Sequence, residues 1–177
     1  LSRWSRSIFV CLKPSSTMKS SLEKSDVIVS RENADDYLDQ IVGLDAVCFP
    51  DRSWNSEVWS GLFSHHQLQV YLGFRQNQPV GYLALSLLPP EAELLRLGVK
   101  DAFRRQAIGS DLLKRTIPEL KNSAVETIFL EVRDDNLPAR LFYQARGFTN
   151  TGERKNYYRS PPCNALILNC RVSNHFI

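Results

Sequence analysis

Long apolar runs are missing from this 177-residue chain: nothing approaches the roughly 18 consecutive apolar residues that cross a bilayer as a helix. Metal-binding patterns are missing too. The four cysteines (Cys11, Cys48, Cys163, Cys170) form no CxxC pair and only three histidines accompany them, which argues against a zinc site. Cysteines scattered in this way build no disulfide framework and suit a reducing, cytoplasmic setting, although Cys163 and Cys170 could in principle meet. A broad basic face is also absent. The first 25 residues hold Arg3, Arg6, Lys13, Lys19 and Lys24 against Glu23 alone, a net +4, so the whole-chain +3 leaves −1 for the remainder. A near-neutral body of this kind does not bind nucleic acid through a charged surface, and any basicity in it must be local.

What is present is one domain's worth of globular sequence, 43% hydrophobic and 23% charged. Residues 1–25 read as a separate, serine-rich segment without acids before Glu23. It fits an organellar transit peptide, a weak secretory signal, or translated upstream sequence ahead of a start at Met18; the last is favoured because the domain opens about ten residues later. The expected organisation is a leader over 1–25, a domain over 26–172 and a tail over 173–177.

Within the domain, residues 27–29 read as a short strand, and Asn33 offers a cap for a helix over 33–47, with Asp36 three residues on. Pro50 breaks that helix, and a second follows over 55–63. Trp54 and Trp59 flank this stretch and read either as packing residues or as a wall of an acceptor groove. His65 and His66 carry no expected role. Residues 67–74 alternate, predicting a strand with one buried face made by Leu68, Val70, Leu72 and Phe74. Residues 80–88 and 91–99 read as two more strands in an antiparallel meander. The fold class is α/β, with a mixed, mostly antiparallel sheet flanked by helices on both faces.

The central feature is the passage from the strand ending near Val99, through a basic loop, to a helix starting near Ser110. The first amides of a helix lack intrahelical partners and share the positive end of its dipole, which makes an anion site. Arg104 and Arg105 can add charge-assisted bonds. Pro118 predicts a kink or an end near Ile117. Residues 125–132 read as a strand, and 165–170 as the last one. Asp134, Asp135 and Asn136 are cap residues for a helix with Pro138 in its first turn and Gly147 at its stop. Asn136 and Tyr143, seven residues apart, fall on one helical face, so with Glu131 they can line one cleft.

Arg104-x-x-Ala107-x-Gly109, Leu130-Glu-Val-Arg133 with Asn136, Leu141-Phe-Tyr143 with Gly147-Phe148, and Asn156-Tyr-Tyr158 together resemble the GNAT superfamily of N-acetyltransferases. More narrowly they resemble its RimI type, which acetylates the N-terminal alanine of a ribosomal small-subunit protein. The resemblance implies acetyl-CoA as donor, a protein N-terminus as partner, and no metal, membrane or nucleic acid. It places a general base on Glu131 and a general acid on Tyr143. The donor would be held by Leu97, Gly98, Val99, Arg104, Arg105, Gln106, Ala107, Ile108, Gly109, Ser110 and Asn136. Trp54, Tyr157 and Tyr158 would border the acceptor. Two positions depart from the family pattern: Ala107 stands where it has glycine, which weakens donor binding, and Pro161-Pro-Cys-Asn164 replaces acidic residues before the last strand. A small amine, a lysine, or a non-catalytic acyl-CoA-binding role are the alternatives.

Overall fold

The computed structural model describes residues 27–172 apart from residue 66. The readings of the leader and tail, and of the His65 and His66 side chains, fall outside what it describes. Its strands are β1 (Val27–Val29), β2 (Leu68–Arg75), β3 (Gln78–Leu88), β4 (Glu91–Val99), β5 (Thr127–Arg133), β6 (Thr149–Arg159) and β7 (Pro162–Arg171). Its helices are α1 (Ala34–Cys48), α2 (Ser56–His65), α3 (Ile108–Asn122) and α4 (Leu137–Gln144). All seven strands form one sheet in the order β1-β2-β3-β4-β5-β7-β6. Every neighbouring pair is antiparallel except β4–β5, so the sheet is mixed and mostly antiparallel.

Helices cover both faces. On one, Ile41, Leu44, Trp59 and Phe63 of α1 and α2 pack on Val70, Leu72, Tyr82 and Leu95. On the other, Leu112, Leu113 and Leu120 of α3 and Ala139 and Tyr143 of α4 pack on Leu83, Leu85, Ile128 and Leu130. Among the described residues no helix is long and apolar enough to cross a membrane.

Four local expectations are corrected. Both faces of β2 are buried, because α3 reaches across to Tyr71 while Leu68, Val70, Leu72 and Phe74 face α1 and α2. Asn33 does not cap α1 with its side chain; it accepts from the Ser30 amide at 2.8 Å and donates to the Ile28 carbonyl at 3.2 Å, locking the turn after β1. Of the two outcomes expected at Pro118, a kink or an end, the end is excluded: α3 runs on to Asn122. Pro118 and Lys114 both lie on the exposed side, where water satisfies the carbonyl that the proline leaves open. Cys163 and Cys170 are both free thiols; seven residues apart on one strand, they are separated by about 23 Å.

A bulge shapes the centre of the sheet. Ala84 of β3 pairs with Arg96 but Leu85 pairs with Leu94, so Leu95 is an extra residue in β4. A bulge of this kind bends its strand and re-aims the side chains beside it. Leu95 and Arg96 consequently both face α1, against strict alternation. Arg96, 1% exposed, meets the fully buried Asp45 of α1, its Nη1 lying 2.8 and 2.6 Å from the two carboxylate oxygens. The Tyr82 hydroxyl and the Trp54 amide also donate to Asp45. The guanidinium lies between the Phe49 and Trp54 rings, at 4.5 and 4.1 Å, and donates to the Arg52 carbonyl at 2.5 Å. One buried ion pair thus ties α1 and the chain leading to α2 onto β4.

Removing the cation while leaving the anion buried is the costly change for such a pair. Arg96→Met is expected to destabilise the protein by about 3–5 kcal/mol, seen as a lower urea midpoint with an unchanged slope. Adding Asp45→Leu should recover much of that loss.

Candidate active site

The parallel pairing of β4 with β5 is short, comprising only Glu91 with Thr127, Ala92 with Ile128 and Glu93 with Phe129. Beyond Glu93 the strands part. β4 keeps its bonds to β3 as far as Val99, and β5 keeps its bonds to β7 as far as Arg133. The β4 bulge at Leu95 lies at the start of this divergence, where it turns β4 away. The edge of β4 facing the gap is left without a strand partner.

A cavity of about 650 Å³ opens at this divergence. Leu97, Gly98 and Val99 form its floor, and Ile108, Gly109 and Ser110 at the start of α3 form one wall. Leu137, Pro138, Leu141 and Phe142 of α4 form an apolar wall opposite. Gly98 is required for this arrangement: a Cβ there would lie 2.7 Å from the Tyr82 ring and 3.0 Å from Cys48 and Phe49. Those last two residues close the remaining side of the cavity.

The anion loop takes the shape its sequence predicts. Ala107, directly before α3, is left-handed (φ 62°, ψ 0°) and provides no side-chain cap. The first intrahelical bond runs from the Asp111 amide to the Ala107 carbonyl at 2.9 Å. The amides of Ile108, Gly109 and Ser110 therefore precede any helical partner and meet at the cavity wall. The left-handed angle costs alanine about 1 kcal/mol that glycine would not incur.

The two loop arginines divide. Arg104 lines the cavity, with its side chain engaged inside the loop: its Nε donates to the Val99 carbonyl at 3.0 Å and its Nη2 lies 2.5 Å from Asp101. Arg105, exposed and itself left-handed (φ 64°), forms no hydrogen bond or ion pair among the described residues and lines the cavity. Gln106 turns away, donating to the Ala102 carbonyl at 3.1 Å, and is not part of the lining.

Among the lining residues that sequence reasoning missed, Arg146 and Cys48 stand out. Arg146 bridges the two helical walls: it donates to the Phe142 carbonyl at 2.6 Å and to the Ser110 hydroxyl, with its guanidinium 3.7 Å from the Phe142 ring centre. Its position three residues after Tyr143 and beside the glycine stop gave no sign of this. Cys48, at the end of α1, figures in the sequence only as one of four scattered cysteines. Burial pushes its thiol up to about 12, so it stays protonated and is no nucleophile.

Glu131, Asn136 and Tyr143 do not line the cavity. They share another property. Each is buried, and each keeps one polar atom without a hydrogen-bond partner: Oε2 of Glu131, Nδ2 of Asn136 and the Tyr143 hydroxyl. Asn136 uses its other atom to cap α4, accepting from the Ala139 amide at 3.2 Å. Tyr143 is fully buried between Phe142 and Phe148, with ring centres 5.1 and 5.2 Å away. Burial pushes its pKa upward, opposed by the charge of Arg146. Glu131 has its Oε1 2.7 Å from Nε of Arg154. Leaving such groups unpaired costs about 1–3 kcal/mol each, and their gathering near one gap suits a ligand that satisfies them.

Of the three residues expected at an acceptor border, the two tyrosines meet edge to face with ring centres 5.1 Å apart, and Trp54 belongs to another cluster. Trp54 is stacked on Arg96. Tyr158 is a buried strand aromatic beneath Arg133, with 4.9 Å between cation and ring. Tyr157 is half-buried, 5.7 Å from the Arg154 guanidinium.

Comparison with known proteins agrees with this geometry. A model of the acetyltransferase (GNAT) family matches residues 34–148. The ribosomal protein bS18-alanine N-acetyltransferase of Haemophilus influenzae is 33% identical over 119 residues, covering 63% of this chain and 81% of that protein. The crystal structure of the ribosomal-protein-S18-alanine N-acetyltransferase from Escherichia coli superposes with a TM-score of 0.72, at 24% identity, over 84% of this chain and 94% of that one. An aminoglycoside 6′-N-acetyltransferase complexed with coenzyme A superposes at 0.70, with 16% identity, over 83% and 97%.

The anion loop generates a prediction. Ala107→Gly removes a methyl group beside the amides, and is expected to tighten acetyl-CoA binding by up to about fivefold, the equivalent of about 1 kcal/mol; the left-handed strain, present without the ligand, bears on folding and not on binding. Titration calorimetry measures it. The melting temperature should move little, because the extra freedom of glycine in the unfolded chain offsets the relief.

Proposed function

The chain belongs to the GNAT family of acetyltransferases, and from that premise we propose that it acetylates the N-terminal α-amine of a protein. The acceptor to which its relatives point is the N-terminal alanine of a ribosomal small-subunit protein. We take residues 26–172 as the catalytic domain. The observation that carries the reading is the gap between β4 and β5, with free helix amides on one side and unpaired buried polar atoms near it. Three buried, unpaired cysteines support a reducing, cytoplasmic setting.

Acetyl-CoA supplies a thioester that an amine attacks directly, with no covalent enzyme intermediate. The chain's own groups then have distinct tasks. The amides of Ile108, Gly109 and Ser110 hold the pyrophosphate, with Arg105 adding charge. The open edge of β4 at Leu97, Gly98 and Val99 accepts the pantetheine arm as an added strand and orients the acetyl carbonyl. The free amide nitrogen of Asn136 donates to the same arm. Leu137, Leu141 and Phe142 exclude water along the opposite wall. Glu131, through its open Oε2, takes a proton from the acceptor amine. Tyr143, kept protonated by burial, gives one to the departing sulfur. Cys48, its thiol also protonated, takes no part as a nucleophile.

Thiol release from acetyl-CoA is the assay. A peptide beginning with a free alanine should support turnover, and the same peptide with a blocked N-terminus and an internal lysine should not. Turnover on both would redirect the reading to lysine or to broad amine acetylation. Separately, Glu131→Gln and Tyr143→Phe should each lower kcat by about 100-fold or more while the thermal shift with acetyl-CoA persists. Unchanged kcat in both variants would remove these two residues from the mechanism.

A further inference from the structure

Glu131 sits in an unusual setting for a carboxylate in the middle of a sheet. On β7 it pairs with Ile167, and beyond Ile167 the β6 partner is Gly152. No side chain therefore stands opposite it on that edge. Two residues further along, Arg133 of β5 and Arg154 of β6 both pair with Ala165, so the two arginines flank one fully buried alanine on the face that Glu131 shares. Residues in register across a sheet point to the same face, and diagonal neighbours lie within reach of long side chains.

The two arginines are not equivalent. Arg133 is committed elsewhere: Nε and Nη2 lie 2.8 and 2.6 Å from the Asp135 oxygens, Nη1 donates to the Pro161 carbonyl at 3.2 Å, and the group stacks on Tyr158. Arg154 turns diagonally over the space left by Gly152 and Ala165 and places Nε 2.7 Å from Oε1 of Glu131, an ion pair whose N–H is not aligned as a hydrogen bond. The contact is made through a single nitrogen. It occupies one carboxylate oxygen and leaves the other, Oε2, buried and unpartnered. Regular β6–β7 pairing is broken immediately after Arg154, where a bulge and the left-handed Asn156 begin.

We propose that Arg154 is a positioning residue for acetyl transfer, holding Oε1 of Glu131 so that Oε2 is presented to the acceptor amine. A carboxylate nearly excluded from water needs a counter-charge, and a cation resting on one of its oxygens draws the charge to that side and leaves the other oxygen open as an acceptor. The inference rests on the reading of Glu131 as the base. It adds a cation 23 residues away in sequence and two strands away in the sheet. Arg154 is outside the acetyl-CoA cavity and 40% exposed, so its replacement changes neither donor binding nor the core.

A steady-state double-mutant cycle in the full chain tests it, using acetyl-CoA and the alanine peptide. Arg154→Gln is expected to lower kcat by about 100-fold, as misorientation of a catalytic group does, with KM for acetyl-CoA and the acetyl-CoA thermal shift unmoved. Arg154→Lys, which keeps the charge without the Nε geometry, should fall between the two. In a Glu131→Gln background, Arg154→Gln should cost nothing further. Unchanged kcat in Arg154→Gln, or an equal loss in both backgrounds, overturns the proposal. Wild-type kcat in Glu131→Gln alone instead removes the base assignment on which the proposal stands, and the two failures are thereby told apart.

Discussion

The loss of pairing between β4 and β5 after Glu93 and Phe129 is the constraint on which the rest of the structure depends. A continuous ladder there would fill the space that now forms the cavity floor. The extra residue Leu95 bends β4 out of that ladder, so the strand carries an open backbone edge from the bulge to Val99. An open edge in the middle of a sheet is unusual, because unpaired amides and carbonyls invite an extended partner. Under the proposed function that partner is the extended arm of acetyl-CoA, and the unpaired amides at the start of α3 follow the end of the same strand. Donor binding and strand divergence are one feature of the backbone.

The same bulge has a second consequence. It turns Arg96 toward α1, where Asp45, Tyr82 and the Trp54 amide receive it. A buried ion pair gives little net stability compared with apolar packing, but it fixes one arrangement because every alternative strands a charge. What it fixes is the end of α1, where Cys48 and Phe49 close the cavity and lie against the space that Gly98 leaves open. The arginines of this chain thus have mainly local tasks. Arg96 anchors α1, Arg104 ties the loop to β4, Arg133 holds Asp135, and Arg146 joins the two helical walls. This distribution fits a body whose net charge is close to zero.

Several buried groups around the site keep an atom without a hydrogen-bond partner. They include Glu131 Oε2, Asn136 Nδ2 and the Tyr143 hydroxyl, but also Nε of Arg146, which joins the two helical walls, and Nε of Arg96, which anchors α1. Such atoms cost stability, and under the proposed function the first three are the ones that bound donor and acceptor would satisfy.

The sequence by itself determined the four helices, every strand but β6, the mixed sheet and the helix start after the basic loop, because each rests on short-range chemistry. Alternation marked β2, the 91–99 run marked β4, the cap at Asn136 and the glycine at 147 bounded α4, and the loop before Ile108 announced free helix amides. Even the left-handed angle at Ala107 was foreseeable from the residue it replaces in the family. Tertiary structure alone decided which of these groups meet. It buried the second face of β2, joined Arg96 to Asp45, and brought Arg154 to Glu131 across β7. Strand order, the bulge at Leu95 and the register of β6 on β7 arise from contacts between residues far apart in the chain. A one-residue shift in register reverses every facing side chain, so no local pattern of residues could have specified those partners.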